Sequence, residues 1–338
     1  VTAMERVVEN LNRALGGLLD RDPSVYLLGE DVVDPYGGAF KATRGLSTRH
    51  PDRVLATPIS EGALVGVANG LALSGGKAVV EIMFSDFVAL AFDQIVNFAA
   101  KSVSMYGHTV PMPVVVRCPT GGGRGYGPTH SQSLQKHFIG VPGLSVYEMS
   151  PFLDNASLLE LAMADGRPAV LFEDKVLYGQ RMHQDGVVDE LFGYELVDPE
   201  SGTTVVSLRD DAPCDCVLIA PGGLSARVLA AARELFVQEE ICCRIVVPGR
   251  LYPFAVEPLL DLLGSAGLVC VVEDSSAGGT WGTEVATLVY RRLWGRLARP
   301  VALLSAADSI IPTAAHLERE VLPQAEDIRD LVIEALRA

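Results

Sequence analysis

With 338 residues, 49% of them hydrophobic, and a formal net charge of −15, the chain is long enough for two domains with substantial cores. The acidic balance excludes general binding to nucleic acid or anionic membranes, and charges or turn residues interrupt every apolar run before it reaches a membrane span. A mean hydropathy of +0.28 is high for such a chain and points to surface hidden in an oligomer interface.

The first predicted element is a helix from Met4 to Leu19. Its Glu5, Arg6 and Glu9 follow a helical pattern, unlike a signal peptide. Strand Val25 to Leu28 leads to a glycine-bearing loop, Asp34-Pro35-Tyr36-Gly37-Gly38. Next comes Thr57-Pro58-Ile59-Ser60-Glu61-Gly62, a lone carboxylate opening an apolar helix from Ala63 to Leu73. Gly66 and Gly70, one turn apart, predict a closely packed face. The plain reading of Glu61 is an N-terminal capping carboxylate. The helix dipole favours its ionised form and burial disfavours it.

Strand Ala78 to Phe84 is followed by a predicted helix from about Asp86 to Met105. At that turn Phe84 and Phe87 flank Asp86, as core aromatics or as a flat surface for a planar heterocycle. Strand Val114 to Arg117 runs into the glycine-rich loop Gly121 to Gly127, and His130 follows in Thr129-His130-Ser131-Gln132-Ser133. That histidine is either a turn residue satisfied by a backbone carbonyl or a cleft residue beyond a strand end. Strand Val146-Tyr147, helix Asn155 to Ala164 and strand Ala169 to Phe172 close the unit.

From Tyr178 to Asp211 the periodicity fades, which predicts a linker. Alternation resumes with strand Cys216 to Ala220, helix Ser225 to Gln238, and strands Arg244 to Val247 and Leu268 to Val272. A helix from about Thr283 to Leu297, strand Val301 to Leu304 and a final helix to Leu336 follow. The expected fold is α/β with two domains, each a mostly parallel sheet flanked by helices. The boundaries are 1–177 for the first domain, 178–211 for the linker and 212–338 for the second. Six cysteines without a CxxC spacing predict buried free thiols in a reducing cytoplasm.

Several familiar motifs fail. Gly121 and Gly123 begin a dinucleotide fingerprint, but Tyr126 stands at its third glycine. Gly75-Gly76-Lys77 resembles the end of a P-loop, yet Ala78 replaces the hydroxyl residue and a strand follows instead of a helix. No GxSxG nucleophile elbow is present.

Taken together, the segments resemble the β subunits of the E1 components of 2-oxo acid dehydrogenase complexes, the thiamine-diphosphate-dependent pyruvate, branched-chain 2-oxo acid and acetoin enzymes. The resemblance spans essentially the whole chain. It rests on Leu28-Gly29-Glu30-Asp31, Gly38 to Leu46, Thr57 to Glu61, Phe92-Asp93-Gln94-Ile95-Val96-Asn97 with Ala99-Ala100-Lys101, Gly121-Gly122-Gly123, His130 to Ser133, and Gly279-Thr280-Trp281-Gly282-Thr283-Glu284.

The resemblance implies a transketolase-type pyrimidine-binding domain followed by a transketolase C-terminal-like domain. It implies that Glu61 hydrogen-bonds N1′ of the cofactor aminopyrimidine, a role suited to a desolvated carboxylate. It implies that Phe87 stacks on that ring with Met83 nearby, and that His130 orients the 2-oxo acid and assists acyl transfer. It also carries a structural potassium site, mainly of backbone carbonyls, at Val114, Ala162, Met163, Asp165 and Arg167. Relatives more often have Asn at the last position. The family's Mg2+-anchoring GDG segment is absent, so the metal ligands and diphosphate donors are expected on an α subunit, in an α2β2 assembly. The expected activity is decarboxylation of a 2-oxo acid and transfer of the acyl unit to a lipoyl E2.

A second enzyme reading keeps the thiamine chemistry. A two-carbon ketol or acyl unit would pass from a ketose phosphate or 2-oxo acid to a carrier-protein thiol. Arg124 to Pro128 and Leu134-Gln135-Lys136-His137 depart from common dehydrogenase versions and keep it open. A non-catalytic scaffold is disfavoured by Glu61, Phe87 and His130 occurring together.

Overall fold

The computed structural model describes residues 5–210 and 213–338. Met4 of the predicted first helix, and Asp211 and Ala212 at the predicted junction of linker and second domain, lie outside the described residues. The chain forms two compact units. One comprises Val1–Thr120, His137–Met149 and Asp154–Met182; the other comprises Gly121–Lys136, Ser150–Leu153 and His183–Ala338.

The first unit holds six parallel strands: β1 (Val25–Gly29), β2 (Val54–Ala56), β3 (Lys77–Glu81), β4 (Val114–Thr120), β5 (Ser145–Glu148) and β6 (Ala169–Asp174). They lie in the order β5-β6-β4-β3-β1-β2. Every residue of β4 and β6 is buried, as expected for strands covered on both faces. The first helix, Val7–Arg21, buries Val7, Leu11, Ala14, Leu15 and Leu19 on one stripe, the spacing of an amphipathic helix. Its start is closed by the Glu9 carboxylate, which accepts the Arg6 N–H at 2.8 Å.

The Glu61–Leu73 helix departs from expectation on its glycine face. A Cβ on Gly62 or Gly66 would meet the Leu90 carbonyl at 3.3 Å or the Gln94 side chain at 3.4 Å, whereas Gly70 has open space. The close approach therefore uses Gly62 and Gly66, not Gly70. Nor is the predicted helix from Asp86 to Met105 regular. A 3-10 segment Ser85–Ala91 passes into a π-helical turn Gln94–Ala99 and a short α-turn Ala100–Ser102. The Asn69 amide donates to the Gln94 carbonyl at 3.0 Å, taking up a carbonyl at the start of the irregular turn.

The second unit contains a six-stranded sheet ordered β13-β12-β9-β10-β8-β7. Its members are β7 (Phe192–Asp198), β8 (Thr203–Leu208), β9 (Cys216–Ile219), β10 (Cys243–Val247), β12 (Leu268–Ser276) and β13 (Ala302–Ala306), and a short strand β11 (Arg250–Tyr252) belongs to the same unit. The four from β13 to β10 are parallel, and β8 and β7 add antiparallel. Residues 192–208, read from sequence as linker, are thus a hairpin of the second sheet. The reason is exposure. Half-exposed β7 lies at the sheet edge, so its polar residues lack the apolar run that marks a buried strand. The core of this unit includes Leu218, Ile245, Val272, Leu235 and Ile328.

The cysteines are free, with Cys118, Cys216, Cys243 and Cys270 buried. Burial pushes the Cys214 thiol up to about 11. Among the described residues, no helix is long and apolar enough to cross a membrane.

Candidate active site

In the first unit the chain leaves β1 to pair β2 on one side and β3 on the other. The strand order reverses at β1, the kind of place where open α/β sheets offer a crevice at the carboxyl ends of their strands. Glu30 follows β1, Glu61 follows β2, and Met83 and Phe87 follow β3. Three connections of quite different length thus deliver their side chains to one end of three adjacent strands.

Glu61 is 7% exposed and begins its helix directly after Ser60. Its carboxylate accepts no hydrogen bond from a described residue, so the fold does not use it as a cap. A buried carboxylate at this end of the sheet, without a hydrogen-bond partner among the described residues, suits a ligand's donor. Phe87 is half-buried, and its ring meets Phe84 edge-on at 6.4 Å. Phe84 itself packs edge-on against Phe40, the arrangement of a core aromatic. Phe84, Phe87 and Met83 are all half-buried, the partial exposure that a stacking surface requires.

Glu30, in the Leu28-Gly29-Glu30-Asp31 segment, also sits at this end of the sheet. It is buried, and its Oε1 has no hydrogen-bond partner. Burial first, and the neighbouring Glu61 charge second, push its carboxyl above the usual range, while the Ser60 N–H pulls the other way. Its place at the end of β1 was the signal that could have flagged it. The sign of the linkage follows. The folded state holds the proton at pH values where the unfolded chain has lost it, so stability falls as pH rises through the ordinary carboxylate range to the raised value. Glu30→Gln should therefore melt higher than the parent at pH 8, and the difference should vanish by about pH 4. Equal pH slopes in the two proteins would remove Glu30 from the crevice electrostatics.

Beneath the crevice lies a fully buried ionic cluster. Arg117 of β4 bonds Glu173 of β6 through two nitrogens at 2.7 and 2.6 Å and also pairs with Glu81 of β3. Tyr178 donates to Glu173 at 2.6 Å, and the Ala39 N–H donates to Glu81 at 2.7 Å. Burial raises the Glu81 carboxyl against the opposing pull of Arg117. The cluster ties three strands to the Gly37–Lys41 loop. There Phe40 takes a left-handed conformation, φ +56°, and lays its ring 5.1 Å from that of Tyr178. At Gly38, also left-handed, a Cβ would collide with the Thr43 hydroxyl and the Glu81 carboxylate, so glycine is required.

His130 belongs to the second unit, on the glycine-rich loop that follows β4. It is half-buried, its Nδ1 lies 2.9 Å from the Thr129 hydroxyl, and its N–H donates to the Gly127 carbonyl at 3.3 Å. The Gly279 to Glu284 segment starts the Trp281–Leu293 helix. Its N-terminus is occupied internally: Glu273 accepts the Trp281 and Gly282 N–H groups at 3.2 and 2.6 Å. Trp281 Nε1 donates to the Leu251 carbonyl at 2.9 Å. That glycine segment is a packing joint.

The five potassium-type positions of the first unit are Val114 at the start of β4 and Ala162, Met163, Asp165 and Arg167 around the end of the Asn155–Ala164 helix. The Met112 N–H bonds the Gly166 carbonyl at 2.6 Å and ties the two segments together. The Arg167 guanidinium pairs with Asp165 at 3.7 Å. Among the described residues, no group of three or more His, Cys, Asp or Glu side chains could hold a metal ion.

Two family models cover the chain. The transketolase pyrimidine-binding domain matches residues 6–180, and the transketolase C-terminal domain matches residues 205–328. The chain belongs to the transketolase-like family that includes the E1 β subunits of pyruvate and acetoin dehydrogenase systems. It is 34% identical over 327 residues to the acetoin:2,6-dichlorophenolindophenol oxidoreductase β subunit of Cupriavidus necator, covering 94% of this chain and 93% of that one. It is 32% identical over 331 residues to the pyruvate dehydrogenase E1 β subunit of Leifsonia xyli, covering 98% and 94%. A split-gene transketolase solved as an inactive β4 tetramer shares the fold, with a TM-score of 0.72 at 22% identity over 98% of each chain. A Pichia stipitis transketolase also shares it at 0.67 and 16% identity, and there this chain spans 46% of the neighbour.

Proposed function

We propose that this chain is the β subunit of a thiamine-diphosphate-dependent E1 enzyme that decarboxylates a 2-oxo acid and passes the acyl unit to a lipoyl E2. The observation that carries the proposal is Glu61, a buried carboxylate without a hydrogen-bond partner among the described residues, in a chain similar along its whole length to such β subunits. The residue types fit an aminopyrimidine: Glu61 offers an acceptor, and the half-buried Phe87 and Met83 offer an aromatic ring and an apolar side chain.

Thiamine diphosphate, when bound, supplies a nucleophilic carbon and an electron sink for the bond to the departing carboxyl carbon. Glu61 would accept a hydrogen bond from N1′ and serve as the proton partner of that atom. Phe87 and Met83 orient the ring. His130 orients the 2-oxo acid and assists acyl transfer. The diphosphate and Mg2+ are assigned to an α subunit in an α2β2 tetramer, because the sequence lacks the GDG segment that anchors the metal in this family. Potassium would be held by carbonyls at Val114, Ala162, Met163, Asp165 and Arg167. Exposed Ile59, Val67 and Leu90, on or beside the Glu61 helix, are the apolar surface that a partner subunit would cover. The cytoplasm is the proposed location.

Assembled with an α-type chain, thiamine diphosphate and Mg2+, the protein should reduce 2,6-dichlorophenolindophenol in the presence of a 2-oxo acid and release CO2; this chain alone should not. An assembled complex that turns over no 2-oxo acid overturns the reading, and full activity of this chain alone overturns the division of the site.

A further inference from the structure

Within the second unit, the loop that carries His130 is held from the far end of the sequence. Gly121, Gly123, Gly125 and Gly127 all have left-handed backbones, with φ of +83°, +82°, +68° and +75°. This alternation is open to glycine and strained for other residues, and it turns successive N–H groups toward a common acceptor. The acceptor is Glu318, in the Ala315–Val321 helix. Its Oε1 receives the Gly123 N–H at 2.8 Å and its Oε2 the Gly125 N–H at 3.1 Å.

Glu318 is 4% exposed, so its charge is out of water and both oxygens are spent on the loop. Around it the fit is close. A Cβ on Gly122 would lie 2.6 Å from Leu322, and one on Gly127 would overlap the Thr313 hydroxyl. Past the clamp, the His130 N–H bonds the Gly127 carbonyl and the Gly121 N–H bonds the Gln132 carbonyl at 3.4 Å. The shape set at Gly123 and Gly125 is thereby carried to the His130 backbone.

We propose that Glu318 is a positioning residue for His130: its carboxylate fixes the glycine loop and through it the placement of the histidine. The proposal rests on the role given to His130 above. A carboxylate is required because two N–H donors converge on the side chain. Glutamine offers one acceptor oxygen and turns an NH2 group toward the second N–H, donor against donor. One released N–H lets the loop relax by a fraction of an ångström to an ångström, a displacement that costs roughly 10- to 100-fold in rate when it misplaces a reacting group.

The test uses the assembled holoenzyme in four forms: parent, Glu318→Gln, His130→Ala and the double variant. Glu318→Gln should lower kcat by roughly 10- to 100-fold, leave thiamine diphosphate affinity within about twofold, and shift the limb of the pH–rate profile that His130→Ala abolishes. In the His130→Ala background the same change should cost almost nothing, because the two residues act as a unit. Equal fold-losses in both backgrounds, or an unmoved pH limb, overturn the clamp while leaving the function standing. Full activity of His130→Ala refutes the histidine's role and the clamp with it. Should Glu318→Gln fail to fold, Glu318→Asp keeps the charge on a shorter arm. It should give the same background-dependent loss at smaller size, and additive losses there count against the proposal equally.

Discussion

Replacing Glu61 with glutamine should leave the fold almost untouched and remove nearly all activity from the αβ complex. The two halves of that expectation have separate causes. On the structural side, the carboxylate accepts no hydrogen bond from the described residues, so the amide breaks none of those. A weakened helix-dipole interaction, about 0.3–1 kcal/mol, is offset by relief from burying a charge. The melting temperature should move by no more than about 3 °C. On the chemical side, glutamine keeps the size and one acceptor but cannot take or hold the proton that the proposed function has the carboxylate share with N1′. Loss of a positioned acid–base group costs roughly 10²–10⁴-fold in kcat. Steady-state kinetics with a 2-oxo acid and a dye acceptor, read beside a thermal melt of the same preparation, checks both halves. Intact activity would show that Glu61 does not serve the cofactor. A collapse in stability would return it to a structural role.

Replacing Arg117 with methionine should have the largest effect on stability. Arg117, Glu81 and Glu173 are all fully buried, and the change leaves two carboxylates without their cation. Removing one partner from a buried ionic cluster costs about 3–5 kcal/mol, a large share of the roughly 5–15 kcal/mol that separates folded from unfolded chains. At roughly 2–4 °C per kcal/mol for domains of this size, the melt should fall by about 6–20 °C. The cause is the stranded charge, so a triple variant that also carries Glu81→Gln and Glu173→Gln should recover much of the loss. Calorimetric melts at neutral pH decide the matter, and an Arg117→Met protein as stable as the parent would show the cluster to be energetically neutral.

The parts of the fold most legible in the sequence are those shut away from water on both faces. β4 and β6 read as apolar runs, and the sequence pattern marks both ends of the Asn155–Ala164 helix. β2 and β7 were not legible, because a three-residue strand and a half-exposed edge strand carry too little apolar pattern to stand out from loops. The irregular 85–102 segment read as a single helix since composition reports apolarity, not which carbonyl a distant Asn69 will take up. At the candidate site, Glu61, Met83 and Phe87 could be named from the motif, and the reversal of strand order at β1 explains why they share a crevice. Glu30 and Glu318 gave weaker signals. One is a single acid at a strand end, and the other lies 193 residues from a loop N–H that it grips, a pairing no local pattern reveals.

The left-handed Phe40 sets a trap for protein engineering. Scored on backbone comfort alone, the position calls for glycine, and a stabilisation campaign would list that exchange among its first candidates. Yet the ring at this position lies against Phe84 and Tyr178, between the crevice aromatics and the ionic cluster below. A library that relaxes Phe40 would be expected to yield variants that melt respectably and work poorly. Selection for this chain should therefore be run on turnover, with heat resistance as the secondary screen.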